Sequence, residues 1–312
     1  MWISPLSLRK QGLLGINCRN FAYISRYNRR SRYPLVDDKL KTKLQAEKFS
    51  VTTPRLRGVI RHQYEVASFS GLVENLDGFA VKPSKGAGGK GILVVKGRSG
   101  GLLVKSSGKT MDVYNVKRHL SNILAGLYSL AGAPDVAIIE DLIRPVEMFE
   151  KLSYEGVPDI RIIVFRGYPV MAMLRLSTQA SDGKANLHKG AVGVGVDIAT
   201  GQCLHAVQYS KRVTRHPDTG LALDTIAVPD WQQLLVLAAR GYEITQLGYI
   251  GADLVVDKNR GPLLIELNAR PGLSIQVANG VGLLPRLNKI EQIDPDLIPS
   301  AEERVKYAMN AF

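Results

Sequence analysis

The chain has 312 residues, more than the roughly 100–200 residues of one ordinary domain, and 45% hydrophobic with 22% charged side chains exclude disorder throughout. Its 41 Lys and Arg against 28 Asp and Glu give a formal net charge of +13, which bears on partners and not on fold. Two distant cysteines, Cys18 and Cys203, exclude a disulfide framework and favour a cytoplasmic location, and no apolar run approaches the ~18 residues of a membrane span.

The first 36 residues form a basic N-terminal segment with seven Lys and Arg and no acid. A transit peptide has a similar composition. Tyr23, Tyr27 and Tyr33 favour an ordered surface instead. The preferred interpretation is a basic docking surface or a solvated segment.

The elements that follow are helices mixed with antiparallel strands. The predicted helices run from the Asp37-Asp38 pair to about Phe49, from Asp112 to the turn Gly132-Ala133-Pro134, over Trp231–Gln246 and over Ala301–Met309. The predicted strands are Phe79–Pro83, Ile92–Lys96, Leu102–Lys105, Val136–Glu140, Ile160–Phe165, Tyr168–Leu176, Ala252–Val256 and Pro262–Asn268. Because hairpins outnumber parallel crossovers, the pattern predicts an α+β fold.

A glycine-rich loop, Ser84–Gly91, is the strongest local signal. Its backbone can approach a phosphate closely and aim N–H groups at it. A strand follows the loop, which argues against a dinucleotide fold, and Lys90 is not followed by Ser or Thr, which argues against a Walker loop. The pattern favours a flap over nucleotide phosphates, with Lys82 supplying a cation. An ordinary hairpin loop is the alternative.

A second group of polar residues lies on the last predicted hairpin. Glu266 and Asn268 alternate with apolar residues and point the same way, and Asp253 can face them from the partner strand. Two carboxylates and an amide oxygen suit Mg²⁺. The alternative is that neighbouring cations such as Arg270 balance these acids.

A third group comprises Arg175 and the polar stretch Lys184–Gly190, which supplies cations and amides after a strand. A solvated loop is the alternative. His188 is given no catalytic role, and the histidines show no metal-ligand spacing.

Taken in order, these segments resemble the ATP-grasp superfamily, and most closely its RimK-type α-L-glutamate ligase-like branch. The resemblance covers about residues 36–290. Its motifs are Val36-Asp37-Asp38-Lys39-Leu40, Phe79-Ala80-Val81-Lys82-Pro83, the glycine loop, Ile139-Glu140-Asp141, Pro158-Asp159-Ile160-Arg161, Ala185-Asn186-Leu187-His188-Lys189-Gly190, Gly251-Ala252-Asp253 and Glu266-Leu267-Asn268-Ala269-Arg270-Pro271-Gly272.

The resemblance implies an ATP-grasp domain over residues 37–290, in which two α+β lobes clasp ATP. A glycine-rich lid lobe would span about 79–137 and a metal-binding lobe about 138–290, before a tail at 291–312. The implied nucleotide-binding residues are Lys39 and Lys82 at the phosphates, Gly86, Gly88, Gly89 and Gly91 in the lid, Glu140 and the Asp141 hinge at the adenine, and Asp159 at the ribose. Asp253, Glu266 and Asn268 would hold two Mg²⁺ ions, with Mn²⁺ as the alternative metal.

The reaction that the resemblance implies is amide-bond formation through an acyl-phosphate. Metals and lysines would neutralise charge as the γ-phosphoryl moves, and a closed lid would exclude water. Arg175, Lys184, Asn186 and Arg270 are the candidates for stabilising the transferring phosphate and the tetrahedral oxyanion. The substrates would be a carboxylate, such as an acidic peptide, protein or small acid, and an amino-acid amine such as glutamate.

Two features depart from the family pattern. About 36 basic residues precede the Asp-Lys motif, where relatives carry a separate α/β domain that helps to bind substrate. Gly251 lies where some relatives have an arginine, two residues before the metal-binding aspartate, so Arg270 is expected to take over the oxyanion.

Two further functions stay open. The net charge and the basic segment fit a non-catalytic protein that binds polyanions or nucleic acid on the same scaffold. A carboxylate kinase that releases acyl-phosphate would need the same residues as the ligase. A membrane partner is not expected, and a homo-oligomer is left open.

Overall fold

The computed structural model describes residues 4–86, 88–129, 132–297 and 299–312. The α-helices are α1 Pro5–Lys10, α2 Ile16–Cys18, α3 Ser25–Tyr27, α4 Pro34–Asp37, α5 Lys39–Lys48, α6 Phe69–Val73, α7 Val113–Leu124, α8 Glu147–Leu152, α9 Trp231–Ala239, α10 Gly241–Thr245, α11 Ser274–Asn279, α12 Leu284–Glu291 and α13 Ala301–Ala311. A π-helical stretch covers Arg19–Ile24, and 3₁₀ turns cover Arg30–Arg32, Gln63–Ser68 and Leu187–Lys189. Among the described residues, no helix has the length and apolar composition that crossing a membrane requires.

The strands are β1 Leu56–Ile60, β2 Phe79–Pro83, β3 Leu93–Ser99, β4 Leu102–Lys105, β5 Thr110–Met111, β6 Ala137–Asp141, β7 Asp159–Phe165, β8 Tyr168–Leu176, β9 Val192–Val196, β10 Cys203–Gln208, β11 Lys211–Val213, β12 Tyr249–Asp257 and β13 Gly261–Asn268. They form two antiparallel sheets. The described parts of the chain form two compact units. The small unit is Asp37–Lys43 with Thr53–Arg144, and the large unit is Met1–Val36, Leu44–Thr52 and Pro145–Phe312.

The small unit is built on the six-stranded sheet β1-β6-β2-β3-β4-β5. The predicted hairpin around the glycine loop is present, because β2 pairs antiparallel with β3. Helix α7 supplies Val116, Leu120 and Ile123 to the core of this unit, and all three are fully buried.

Helix α7 ends earlier than the sequence pattern predicts. Asp112 caps its first turn, as expected, by accepting a hydrogen bond from the Asn115 N–H. The helix stops at Leu124 because Gly126 adopts a φ of 83°, which reverses the chain. Leu127 is consequently 67% exposed and does not extend the apolar stripe.

The large unit is built on the seven-stranded sheet β11-β10-β9-β8-β7-β12-β13. Helices α8, α9, α10 and α13 contribute to the core on one face, and the N-terminal segment with α11 and α12 contributes to the core on the other. Because both faces are covered, every residue of β8 and of β12 is buried. The helix predicted over Trp231–Gln246 is two consecutive helices, α9 and α10, that meet at Arg240.

The N-terminal segment is attached to β12 and to the loop after β13. The Asn28 side-chain amide donates to the carbonyls of Tyr249 and Ala269, at 2.7 and 3.1 Å, and its oxygen accepts from the Tyr249 N–H at 2.8 Å. Tyr23 and Ile24 are buried beside Phe165. The described part of this basic segment therefore contributes to the core of the large unit.

Candidate active site

In the small unit, Glu140 on β6 lies between two lysine ammonium groups. Its carboxylate accepts from Lys82 on β2 at 2.6 Å and from Lys43 on α5 at 2.8 Å. Burial acts to raise the pKa of Glu140, but the two ammonium charges outweigh it, and the pKa is lowered. Two ammonium groups thus converge on the carboxylate of Glu140.

Lys43 is not among the site residues that the sequence predicts. The sequence does hold a signal for it, because Lys39 and Lys43 are four residues apart on one helix and point to the same side. Glu140, which the sequence predicts at the adenine, has both carboxylate oxygens in these ion pairs.

The start of α5 is hydrogen-bonded to the base of the glycine loop. The Lys39 N–H donates to the Ser84 carbonyl at 2.8 Å, and the Lys39 ammonium donates to the Gly86 carbonyl at 2.6 Å. The Ser84 hydroxyl donates to Asp38. This arrangement places Lys39 directly beside the predicted phosphate flap.

The ends of the glycine loop are packed, and its centre is open. A side-chain carbon at Gly86 would lie 2.4 Å from Pro83, and one at Gly91 would lie 2.5 Å from the Tyr128 ring. Gly88 and Gly89, with φ of 63° and 74°, have no other atom within 4 Å of that position. Ala87 lies outside the described residues. The backbone at Gly88 and Gly89 is therefore accessible to a ligand.

Asp141, the predicted hinge residue, forms a half-exposed ion pair with Arg57. The Arg57 Nε donates to Oδ1, and Nη2 donates to Oδ2 at 3.1 Å. The backbone N–H of Asp141 donates to the Arg55 carbonyl at 3.0 Å. These contacts hold the end of β6 in place.

In the large unit, charged side chains gather on one face of the sheet. Asp253 pairs in register with both Arg161 on β7 and Glu266 on β13, and Asp159 pairs with Arg175 on β8. Residues directly opposite each other across antiparallel strands project to the same face. The register of β8, β7, β12 and β13 therefore brings charged side chains from all four strands to one face of the sheet. We call it the charged face, and it carries Arg175, Asp159, Arg161, Asp253 and Glu266.

Two arginines neutralise Asp253, which is buried, and Asp159, which is largely buried, at this face. Arg161 donates to the two Asp253 oxygens at 2.7 and 2.6 Å. Arg175 donates to both oxygens of Asp159 at 2.5 Å and to Asp253 at 2.8 Å. Arg175 therefore bridges the two carboxylates. In each arginine, the Nη1 group donates to no described residue and is not sealed from solvent.

The two aspartates differ in their proton affinity. Burial acts to raise the pKa of Asp253, but Arg161 and Arg175 outweigh it and lower that pKa to about 2. Burial raises the pKa of Asp159 to about 6 against the pull of Arg175, and the negative charge of Asp253 adds to the rise. Asp253 is thus the aspartate that stays ionised over the wider pH range.

The predicted metal ligands Asp253, Glu266 and Asn268 share the charged face, because Asn268 lies opposite Gly251 in the same register. Two carboxylates and an amide oxygen are hard donors that fit Mg²⁺ when nucleotide phosphates complete its coordination. In the described residues, no three His, Cys, Asp or Glu side chains could hold a metal without such help. The Asn268 oxygen accepts from the Arg270 N–H at 2.8 Å.

The remaining predicted residues lie on loops. Lys184 donates to the exposed Asp182 at 2.6 Å, and the Asn186 oxygen caps the turn Leu187–Lys189. No contact within the described part of the chain joins Lys184 or Asn186 to Arg175. Arg270 is exposed, and its guanidinium lies 4.7 Å from the Tyr33 ring centroid. The structure thus places Arg175 on the charged face, whereas Lys184 and Asn186 lie on one loop and Arg270 on the loop after Asn268.

A family model described as sugar-transfer associated ATP-grasp matches residues 18–292. The chain belongs to the sugar-transfer associated ATP-grasp family. The predicted ATP-grasp superfamily and α+β fold are therefore confirmed. The finer resemblance to the RimK-type branch stays a prediction. No curated protein matches this sugar-transfer associated ATP-grasp chain.

Solved structures with a similar fold include the D-cycloserine synthetase DcsG, with a TM-score of 0.50 and 13% identity over 97% of this chain and 82% of that one. The ATP-grasp ligase PsnB complexed with a minimal precursor is 12% identical, with a TM-score of 0.45, over 86% of this chain and 63% of that one. D-alanyl-alanine synthetase A from Vibrio cholerae is 8% identical, with a TM-score of 0.49, over 89% of this chain and 65% of that one. The chain thus spans under two thirds of the length of the latter two proteins, and DcsG supports the fold alone.

Proposed function

We propose that this chain is an ATP-dependent carboxylate–amine ligase that forms an amide bond through an acyl-phosphate intermediate. The observation that carries the proposal is the sheet register that places Asp253, Glu266 and Asn268 on one face beside Arg175. Membership of an ATP-grasp family supports it. So does the similar fold of the D-cycloserine synthetase DcsG.

The small unit would bind ATP through cations and backbone. Lys82 and Lys39 would contact phosphate oxygens, and the open Gly88-Gly89 backbone would cover them. Glu140 would hold the ammonium groups of Lys82 and Lys43 in orientation. The prediction that Glu140 and Asp141 lie at the adenine, and Asp159 at the ribose, remains part of this proposal.

The large unit would hold Mg²⁺ through Asp253, Glu266 and Asn268, with two ions as the family resemblance implies. Bound Mg²⁺-ATP would supply the transferable phosphoryl group with its charge neutralised. The Nη1 groups of Arg161 and Arg175, which donate to no described residue, would donate to oxygens on which negative charge develops. Lys184, Asn186 and Arg270 stay candidates for the oxyanion.

The substrates are proposed as a carboxylate, such as an acidic peptide or small acid, and an amino-acid amine such as glutamate. We expect the reaction to take place in the cytoplasm. The amine attacks the acyl carbon of the acyl-phosphate, the C–O bond to phosphate breaks, and an amide and inorganic phosphate are released. Each turnover therefore yields one ADP, one phosphate and one amide.

The test is ADP formation by purified protein with Mg²⁺-ATP across a panel of peptide and amino-acid carboxylates and amines. Asp253→Asn and Glu266→Gln should each lower turnover at least about 100-fold, while the exposed Asp224→Asn should match wild type. A panel that yields no ADP from a protein that binds ATP would refute the ligase. Hydroxamate on adding hydroxylamine, without amide formed from any amine, would show a carboxylate kinase instead.

A further inference from the structure

Arg19 in the N-terminal segment is a buried cation that has no counter-ion among the described residues. It is 8% exposed, and its Nη1 donates to the Pro271 carbonyl at 2.7 Å. Its Nε and Nη2 donate to the Asn20 side-chain oxygen at 3.0 and 2.8 Å. These acceptors are neutral, and no carboxylate among the described residues pairs with this guanidinium. A buried charge is costly without an opposite charge. The surroundings of Arg19 therefore favour the binding of an anion.

The hydroxyl of Tyr249 is a second incomplete group. Tyr249 is fully buried, and its hydroxyl has no hydrogen-bond partner among the described residues. Tyr249 lies near Arg19, since its ring is 6.0 Å from that of Tyr23, which belongs to the same helical stretch as Arg19. Burial raises the pKa of this hydroxyl, and the positive charge of Arg19 partly offsets the rise. A buried polar group left unpaired costs about 1–3 kcal/mol. One corner of the large unit thus holds a cation that lacks an anion and a donor that lacks an acceptor.

This corner adjoins the candidate metal ligands. Tyr249, Gly251 and Asp253 alternate along β12 and share one face of the sheet. Pro271 packs over Gly251, where a side-chain carbon would lie 2.7 Å from the proline ring. The carbonyl of the same Pro271 accepts from Arg19. Arg19 therefore lies at the loop that directly follows Glu266 and Asn268.

We propose that Arg19 and Tyr249 bind a carboxylate group carried by one substrate of the ligase, an inference that rests on the proposed function. A carboxylate supplies the negative charge that Arg19 lacks and accepts hydrogen bonds from both the guanidinium and the phenol. An amine or a neutral group would leave the charge of Arg19 unbalanced. The basic N-terminal segment thereby contributes to substrate binding.

The experiment follows the unfolding midpoint of the full chain as potassium acetate replaces potassium chloride at constant ionic strength. A ligand that binds only the folded state raises the midpoint in proportion to its occupancy. Wild type should be stabilised by acetate. Arg19→Gln and Tyr249→Phe should each weaken acetate binding about tenfold, the loss of a hydrogen bond to a charged group. Arg26→Gln is the control, since Arg26 lies on the same helical stretch but is exposed and paired with Glu291.

Tyr249→Phe keeps the test decisive if Arg19→Gln fails to fold, because it removes only an unpaired hydroxyl. No acetate effect on wild type, or full acetate effects in both variants, would overturn the proposal. Stabilisation by inorganic phosphate but not by acetate would also overturn it, in favour of a phosphate site. The measurement needs no turnover, so an acetate response that depends on Arg19 in a chain that makes no ADP would refute the ligase and leave the carboxylate site standing.

Discussion

Arg175 is the residue that links the two aspartates of the charged face, because it donates to both Asp159 and Asp253. Removing one partner of a buried ion pair leaves the other uncompensated and costs about 3–5 kcal/mol. We therefore expect Arg175→Met to lower the free energy of unfolding by about that amount in urea titrations. The half-exposed pair Arg57–Asp141 is the comparison. There, Arg57→Met should cost no more than ~1 kcal/mol, and equal losses at the two sites would contradict the bridging role.

Glu140 is expected to make the stability of the small unit depend on pH. Its pKa is lower in the folded chain than the value of about 4.3 in an unfolded one. Its stabilising contribution is therefore complete above that value and is lost as the pH falls through the folded pKa. Urea unfolding from pH 7 to pH 3 should show a difference between wild type and Glu140→Gln that shrinks below about pH 4.3.

The exposed Glu147, paired with Lys151 on α8, is the control for this pH series. Glu147→Gln should leave the free energy of unfolding nearly unchanged at any pH, because solvent screens the charge of an exposed pair. A gap between wild type and Glu140→Gln that stays constant with pH would show that Glu140 acts through packing and not through its charge.

Among the elements, the glycine loop separates into packed ends and an open centre. Gly91→Ala should cost about 1–2 kcal/mol for its positive φ and more for the overlap with Tyr128. Gly88→Ala carries the φ cost alone, since its side-chain position is empty. Thermal unfolding of both variants should rank Gly91→Ala as the less stable. Equal stability of the two variants would mean that Tyr128 moves aside without cost, and the reverse order would contradict the packed-end assignment.

The sequence predicts the boundaries of several strands and helices where neighbouring turn residues determine them. Strands β2 and β8 begin and end at the predicted residues, because apolar runs there stop at turn residues such as Arg166-Gly167. Strand β9 is not predicted, since two of its five residues are glycine, which is depleted in strands. The overrun of α7 past Leu124 came from an apolar period that continues after the helix has ended.

The sequence predicts which residues form the candidate site, but not which of their side chains form ion pairs with each other. The alternation of Glu266 and Asn268 with apolar neighbours predicted a shared face, which the register shows. The ion pairs of Asp253 with Arg161 and Arg175 depend on which strands are neighbours, and strand order is not a local property of sequence. The same holds for Arg19, whose partner Pro271 is 252 residues away.

For the whole molecule, the net charge of +13 permits binding to nucleic acid. Such binding would not need the sheet face that carries Asp253 and Glu266. Such binding rests on phosphate contacts and weakens steeply as salt rises. We expect fluorescence anisotropy with a short DNA duplex to show an affinity that falls at least about 100-fold between 50 and 200 mM salt and does not change in Glu266→Ala. Tight binding that persists at 200 mM salt, with no ADP formation, would favour the polyanion-binding alternative over the ligase.

Asn28 has a consequence for how the chain reaches this structure. It is made early in synthesis, yet its partners Tyr249 and Ala269 lie 221 and 241 residues later. Closing so long a loop is slow relative to forming the local hairpins of the large sheet. We expect the segment to dock last, onto a sheet that is already assembled, so that Tyr249 and Ala269 must have left the ribosome before Asn28 can reach its place.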